Sequence, residues 1–128
     1  ILTPTRELAA QVASNINDFA KYLDITTITI VGGGKQDVQA KKLKAGAHII
    51  VATPGRLLEH LTACNLSLSG VECLVMDEAD RILDMGFSAD VQKILQAVNK
   101  TRQNLLFSAT FSDAVKKLAN LMLDRPQT

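Results

Sequence analysis

A chain of 128 residues, 47% hydrophobic and with a net charge of +1, carries enough apolar material for one globular core and excludes a disordered polyelectrolyte. The balanced charge gives no bulk attraction to nucleic acid, so a claim about such a partner rests on local residues. Cys64 and Cys73 form neither a disulfide framework nor a metal-ligand spacing, and no apolar run reaches the length of a membrane span.

The chain opens on Ile1-Leu2, which reads as the tail of a strand already under way. Ile1 is no natural initiator and no signal peptide is visible, so a piece of something longer is expected, in a reducing, cytosolic setting. Thr3-Pro4-Thr5-Arg6 follows, a strong helix start with threonine at the cap and proline at the first helical position. Leu8, Val12, Ile16, Phe19 and Leu23 then step by three or four and predict an amphipathic helix. Thr26 to Val31 is β-rich and ends on Gly32-Gly33-Gly34. Lys35 to Ala45 is more polar and predicts a weaker surface helix, with Lys35, Lys41, Lys42 and Lys44 as a solvated face. His48 to Ala52 predicts a strand closed by Thr53-Pro54-Gly55-Arg56, and Leu57, Leu58 and Leu61 mark a shorter helix. Val71 to Met76 is an apolar strand, with Cys73 expected as a buried thiol, and it runs into Asp77-Glu78-Ala79-Asp80. Phe87, Val91, Ile94, Leu95 and Val98 predict another helix. Asn104 to Phe107 predicts a strand closed by Ser108-Ala109-Thr110, and Val115, Leu118, Ala119 and Met122 a last helix. His48 and His60 stand isolated, so structural or surface roles are expected of them, and Met76, Met85 and Met122 read as core filler.

Alternation of this kind predicts an α/β fold, a parallel β-sheet flanked by helices. Right-handed crossovers bring every strand's carboxyl end to one edge. The polar or glycine-rich segment after each strand therefore lands where open α/β sheets bind ligands.

Asp77, Glu78 and Asp80 place three carboxylates at a strand end. Fixed carboxylates can hold Mg²⁺ through oxygen, and a neighbour can orient or deprotonate water, a pairing suited to cleavage of a nucleoside triphosphate. The same acids also suit a plain helix start. Thr3-Pro4-Thr5-Arg6 and Thr53-Pro54-Gly55-Arg56 nearly repeat each other. Each leaves free backbone N–H groups at a positive dipole end, yet Arg6 and Arg56 sit in the first turn, where a cation is disfavoured. Finding that twice points to an anion, such as two phosphates along one nucleic-acid strand. Gly32-Gly33-Gly34 suits a plain turn or the close approach of a sugar-phosphate chain, and Gly55 the same. One Tyr, four Phe and no Trp leave no stacking ladder, so contacts to phosphate and 2′-hydroxyl, blind to sequence, fit better. The hydroxyls of Ser108 and Thr110 suit a helix cap, or bonds to Asp80 that fix its rotamer.

Together these residues resemble the first RecA-like domain of DEAD-box RNA helicases, along the length of the chain. Pro4-Thr5-Arg6-Glu7-Leu8-Ala9 is similar to motif Ia, Gly32-Gly33 to the GG motif, Thr53-Pro54-Gly55-Arg56 to motif Ib, Asp77 to Asp80 to motif II and Ser108-Ala109-Thr110 to motif III. The resemblance implies an ATP-dependent RNA helicase using ATP and Mg²⁺, with Asp77 helping to hold the metal and Glu78 activating the hydrolytic water. It implies that Asp80, Ser108 and Thr110 couple the ATP site to RNA strain and interdomain contacts, and that Pro4, Thr5, Arg6, Gly33, Thr53, Gly55 and Arg56 line the RNA backbone track. It also implies a second RecA-like domain as partner, and a strand order of 103–108, 71–76, 1–2, 47–52, 26–31.

The sequence departs from the family by lacking a G-x-x-x-x-G-K-[ST] phosphate loop, the Q motif and the second domain with its arginine finger. The isolated chain is therefore expected to be an incomplete domain that neither hydrolyses ATP nor unwinds RNA. The strand at 104–107 is expected to lack an outer neighbour, and the chain to be marginal or to self-associate there. Two other readings stay open: a superfamily-two motor acting on DNA, and a non-catalytic α/β RNA-binding module.

Overall fold

Four strands and six helices alternate along the computed structural model, which describes residues 1–128. They are α1 (Arg6–Phe19), β1 (Thr27–Ile30), α2 (Gln36–Ala45), β2 (Ile49–Ala52), α3 (Pro54–Thr62), β3 (Cys73–Met76), α4 (Ala79–Asp84), α5 (Ser88–Ala97), β4 (Gln103–Leu106) and α6 (Asp113–Met122). β1 pairs with β2 in parallel, Thr27 opposite Ile49, and β3 with β4, Cys73 opposite Gln103. Leu2 joins the two pairs by parallel bridges to Ala52 and Met76. The order β4–β3–Leu2–β2–β1 is the expected one, although each strand is shorter than its apolar run.

Strands this short make a sheet because both faces recruit apolar partners. On one face Leu2, Ile28, Ile30, Ala52, Leu74 and Met76 pack with Leu57, Ile82, Val91, Ile94, Leu118 and Met122 in a single cluster. Each valine, leucine, isoleucine or methionine among them, fully buried, contributes roughly 1.5–3 kcal/mol. On the other face Ala9 and Ala13 of α1 lie on Val51, with Ile1, Val12, Ile16, Val31 and Ile49 around them. Alanine on the inner stripe brings α1 close to the sheet.

Four expectations fail, each for a geometric reason. Phe19 and Leu23 are exposed although they continue the apolar stripe of α1. A 14-residue helix is about 21 Å long, and it overruns four-residue strands of about 13 Å. Cys73 is exposed because Leu74 and Met76 take the buried face, so Cys73 and Val75 turn to a face that α1 covers only over β1 and β2. Met85 is half-exposed at the C-cap of α4, where the chain leaves the core through Gly86 at φ +87°. His48 and His60 hold structural places: His48 Nδ1 accepts from Thr26 N at 3.0 Å, and His60 is fully buried.

Below Leu2 the strand pairs part. A cavity of about 680 Å³, lined mainly by apolar side chains, opens between Ile49–Ile50 and Cys73–Val75. β4 has β3 on one side and no strand on the other. No helix is long and apolar enough to cross a membrane.

Candidate functional site

The carboxyl ends of the strands are stitched together in sequence across the sheet. Thr53 N donates to Ile30 O at 3.1 Å, Thr3 N to Ala52 O at 2.9 Å, Asp77 N to Leu2 O at 3.0 Å, and Ala79 N to Phe107 O at 2.9 Å. These bonds fix the exits of β1, β2, Leu2, β3 and β4 side by side. The glycine loop, both threonine–proline helix starts, the acids and the Ser108–Thr110 segment therefore share one edge.

The two helix starts differ in detail. Thr5 caps α1 by accepting from Leu8 N at 3.2 Å, whereas Thr53 makes no side-chain cap bond and Pro54 sets the first turn of α3. Pro4 and Pro54 are fully buried, so they shape the turns and offer no surface to a ligand. The Arg6 side chain is 64% exposed, its Nε 3.4 Å from Glu7 Oε1. A backbone hydrogen bond and Arg6 hold the Glu7 carboxyl below its usual range. The Arg56 side chain is only 16% exposed. Its NH1 donates to Gly34 O at 2.9 Å and to Gln39 Oε1 at 3.3 Å. Its Nε lies 3.2 Å from Glu59 Oε2, close enough for ionic attraction but not aligned for a hydrogen bond. Arg6 is thus available to a ligand, while Arg56 is fastened to the loop.

The glycine loop lies between them. Gly33 has φ +85°, and a Cβ there would stand 2.7 Å from Arg6 NH1. A Cβ on Gly34 would stand 2.6 Å from Gln39 Nε2. Arg6 is free to swing aside; Gln39 is not, because its Nε2 donates to Val31 O at 2.9 Å. At Gly55 a Cβ would meet the Phe87 ring at 3.4 Å and Asp90 Oδ2 at 3.9 Å, so local space does not by itself demand glycine.

At the acidic end Glu78 occupies the left-handed region, φ +51° and ψ +53°. That conformation costs a bulky residue on the order of 1–3 kcal/mol and is retained where surrounding structure over-determines it. It stands at the N-cap of α4 yet makes no side-chain cap bond, so helix capping does not account for its carboxylate. Glu78 Oε2 is buried and unpartnered, with Arg81 NH1 at 3.7 Å, beyond hydrogen-bond reach. Asp77 Oδ1 accepts from Glu78 N at 3.0 Å. Asp80 is tied to the β4 exit: its N donates to Ser108 Oγ at 3.3 Å and its Oδ2 accepts from Thr110 Oγ1 at 3.2 Å. Ser108 Oγ in turn donates to Thr110 O at 2.7 Å.

No three acids, histidines or cysteines gather into a cage for a cation. The acids nonetheless fit Mg²⁺ in its usual nucleotide-site mode, one or two carboxylates with phosphates and water completing the octahedron. Asp77 and the unpartnered Glu78 Oε2 are the groups on hand.

Two buried polar residues were absent from the sequence-based set. Gln39 and His60 lie beneath Arg56, 6% and 0% exposed. The signal was their register: Gln39 shares a helix face with Leu43 four residues on, and His60 with Leu57 three residues back.

The chain matches the DEAD/DEAH box helicase family model over residues 1–118. It is 44% identical over 128 residues to the ATP-dependent RNA helicase DeaD of Buchnera aphidicola subsp. Schizaphis graminum, covering 99% of this chain and 21% of that protein. It is 45% identical over 127 residues to the DEAD-box ATP-dependent RNA helicase 28 of Oryza sativa subsp. japonica, covering 98% and 16%. The crystal structure of the yeast DEAD-box splicing factor Prp28 superposes with a TM-score of 0.88 at 37% identity, covering 95% of this chain and 30% of that one. The chain thus spans about a fifth of the length of these curated relatives.

Proposed function

The chain belongs to the DEAD/DEAH box helicase family, and on that premise we propose that it is the part of an ATP-dependent RNA helicase that holds the hydrolytic acids and one stretch of the RNA track. The observation that carries this reading is the shared edge, with strained, unpartnered Glu78 at one station and the Arg6–Gly33–Arg56 cluster at another.

In this reading Glu78 orients the attacking water and takes its proton; its Oε2 makes no hydrogen bond within the protein, and only the longer ionic contact to Arg81 competes for it. Asp77 would hold Mg²⁺, which when bound offsets charge on the transferred phosphoryl group. Asp80, Ser108 and Thr110 couple the stations to a second RecA-like domain; their bonds join the exits of β3 and β4, so displacing one exit pulls the other. Arg6 contacts phosphate directly, with the free N–H groups at the starts of α1 and α3. Thr5, Gly33, Thr53 and Gly55 line the track through backbone, Pro4 shapes it from beneath, and Arg56 acts by holding the loop. The scarcity of aromatic residues supports backbone contacts indifferent to base identity. The exposed free thiols Cys64 and Cys73 support a reducing, cytoplasmic location.

The test uses a longer protein carrying this chain. Glu78→Gln should lower RNA-stimulated ATP hydrolysis by about 10²–10⁴-fold, the usual worth of a general base, while RNA binding survives. Hydrolysis that persists at the unaltered rate sinks the assignment. Competition binding should favour RNA over DNA of the same sequence; the reverse order favours the DNA-motor reading. Because the 128 residues contain no G-x-x-x-x-G-K-[ST] segment, we also propose that the chain alone does not hydrolyse ATP. RNA-stimulated turnover above a Glu78→Gln control in the isolated chain overturns that.

A further inference from the structure

A buried amide is costly unless each of its polar atoms finds a partner. Gln39 is the buried polar residue of α2, an otherwise polar helix that turns only Gln39 and Leu43 inward. An aliphatic residue would fill that place at no polar cost, so the bonds Gln39 makes are informative. Val31 O can only accept, and Gln39 Nε2 donates to it at 2.9 Å. That fixes which way the amide faces. Gln39 Oε1 must then receive Arg56 NH1 at 3.3 Å and His60 Nε2 at 2.9 Å.

The chemistry propagates one step further. An amide oxygen cannot donate, so His60 carries its proton on Nε2. His60 Nδ1 is then an acceptor, and Asn65 Nδ2, 3.0 Å away, supplies the proton. Burial, followed by the nearby Arg56 charge, lowers the pKa of His60 and favours the neutral ring that this pattern needs. The chain of bonds Asn65–His60–Gln39 thus ends on two groups of the candidate RNA edge: the exit of β1 at Val31, and the guanidinium of Arg56, itself bonded to Gly34 O at 2.9 Å. The would-be Cβ of Gly34 falls 2.6 Å from Gln39 Nε2, so the loop's third glycine is matched to this amide.

We propose that Gln39, backed by His60, is a positioning residue for RNA binding: it locks Arg56 and the Val31–Gly34 loop into one rigid unit. This rests on the RNA-track reading above. Arg56 then serves as a clamp on the loop, and the loop's exposed backbone and Arg6 do the contacting. Neither Gln39 nor His60 touches RNA.

Binding of a fluorescent oligouridine to a longer protein carrying this chain tests the proposal, alongside ¹⁵N spectra of the arginine side chains. Gln39→Leu keeps the volume and removes the relay. It should weaken RNA binding by about tenfold, the worth of one lost bond to a charged group, with the slope of affinity against salt unchanged because no phosphate contact is lost. Arg6→Ala should instead reduce that slope by about one phosphate. His60→Leu should behave as Gln39→Leu, and His60→Gln, which can still donate to Gln39, should regain most of the affinity. The Arg56 guanidinium should rotate slowly in the unaltered protein and faster in Gln39→Leu, where only Gly34 O and Glu59 still hold it. Full RNA affinity in Gln39→Leu, or an Arg56 that rotates no faster than in the unaltered protein, overturns the proposal alone. If Gln39→Leu does not fold, the pair of His60 variants decides: equal affinity in both overturns it. A protein that binds no oligouridine at all overturns the RNA-track reading, and the proposal with it.

Discussion

The β1–β2 half of the sheet and the β3–β4 half share one core face but differ on the other. Over β1 and β2, α1 lays Ala9 and Ala13 on Val51, and the strands are buried or half-buried throughout. Over β3 and β4 the same face is bare: Cys73, Gln103 and Leu105 are exposed, and Phe107 just beyond is 54% exposed. The covered half carries the arginine helix starts and the glycine loop; the bare half carries the acids and the Ser108–Thr110 segment. Stability is thus concentrated under the proposed RNA contacts. The elements proposed to couple hydrolysis to movement rest on one layer of packing, where local opening is easiest.

Substitutions on neighbouring strands give the sharpest contrast. Met76 is fully buried on the shared face, so Met76→Ala should cost about 2–5 kcal/mol in urea unfolding. Leu105→Ala, on the bare face of β4, should cost less than about 1 kcal/mol. A large loss at Leu105 would show that the face is covered in solution. Self-association is one such cover, and light scattering tests it: Phe107→Lys should then be more monomeric than the unaltered chain, and an unchanged mass excludes it.

The glycine loop allows a smaller test within the covered half. Gly34→Ala pushes on an amide that cannot yield without giving up Val31 O, and should cost about 1–3 kcal/mol, the worth of one buried unpaired group. Gly32 has open space around its Cβ position, so Gly32→Ala should stay within about 0.5 kcal/mol. Equal costs would mean that the loop is not seated on Gln39.

The smallest effect is in pH. The pKa of His60 is lowered in the folded chain, so the unfolded state binds the proton more readily. Its contribution to stability is complete above the ordinary value of 6.5 and is lost as pH falls through the lowered one. Stability should therefore decline as pH falls below 6.5, and His60→Gln should flatten that decline. An unchanged profile in His60→Gln would mean that the ring is not held neutral.

The common edge was legible because Leu2, Val31, Ala52 and Met76 each end an apolar run just before a polar or glycine-rich turn, a pattern set by the parallel sheet itself; the strand order came only with the family resemblance. Exposure on the bare half was not legible. Cys73 and Phe107 lie in runs as apolar as any covered strand, and an apolar run does not say whether a helix lies over it. Phe19 and Leu23 misled because periodicity records a helix's stripe but not where the sheet beneath it stops. Arg56 was legible as a first-turn cation but not as one turned inward. Its partners, Gly34 O and Gln39, come from a different crossover, and only packing brings them to it. Gln39 looked like one more polar residue of a surface helix, and His60 like an isolated structural or surface histidine; the helix face each shares with a leucine hinted at burial, but only packing shows which neighbours they meet.

The proposed function divides labour along one edge: the arginine-bearing helix starts would hold RNA, and the acids would act on ATP. Salt-dependent RNA affinity and RNA-stimulated hydrolysis, measured together for Arg6→Ala and Glu78→Gln in a longer protein carrying this chain, test it most directly. Arg6→Ala should weaken RNA binding at all sequences alike and reduce the salt slope by about one phosphate, whereas Glu78→Gln should leave affinity and slope intact and abolish turnover. Loss of RNA affinity in Glu78→Gln equal to that in Arg6→Ala, or base-selective losses in Arg6→Ala, would contradict the account.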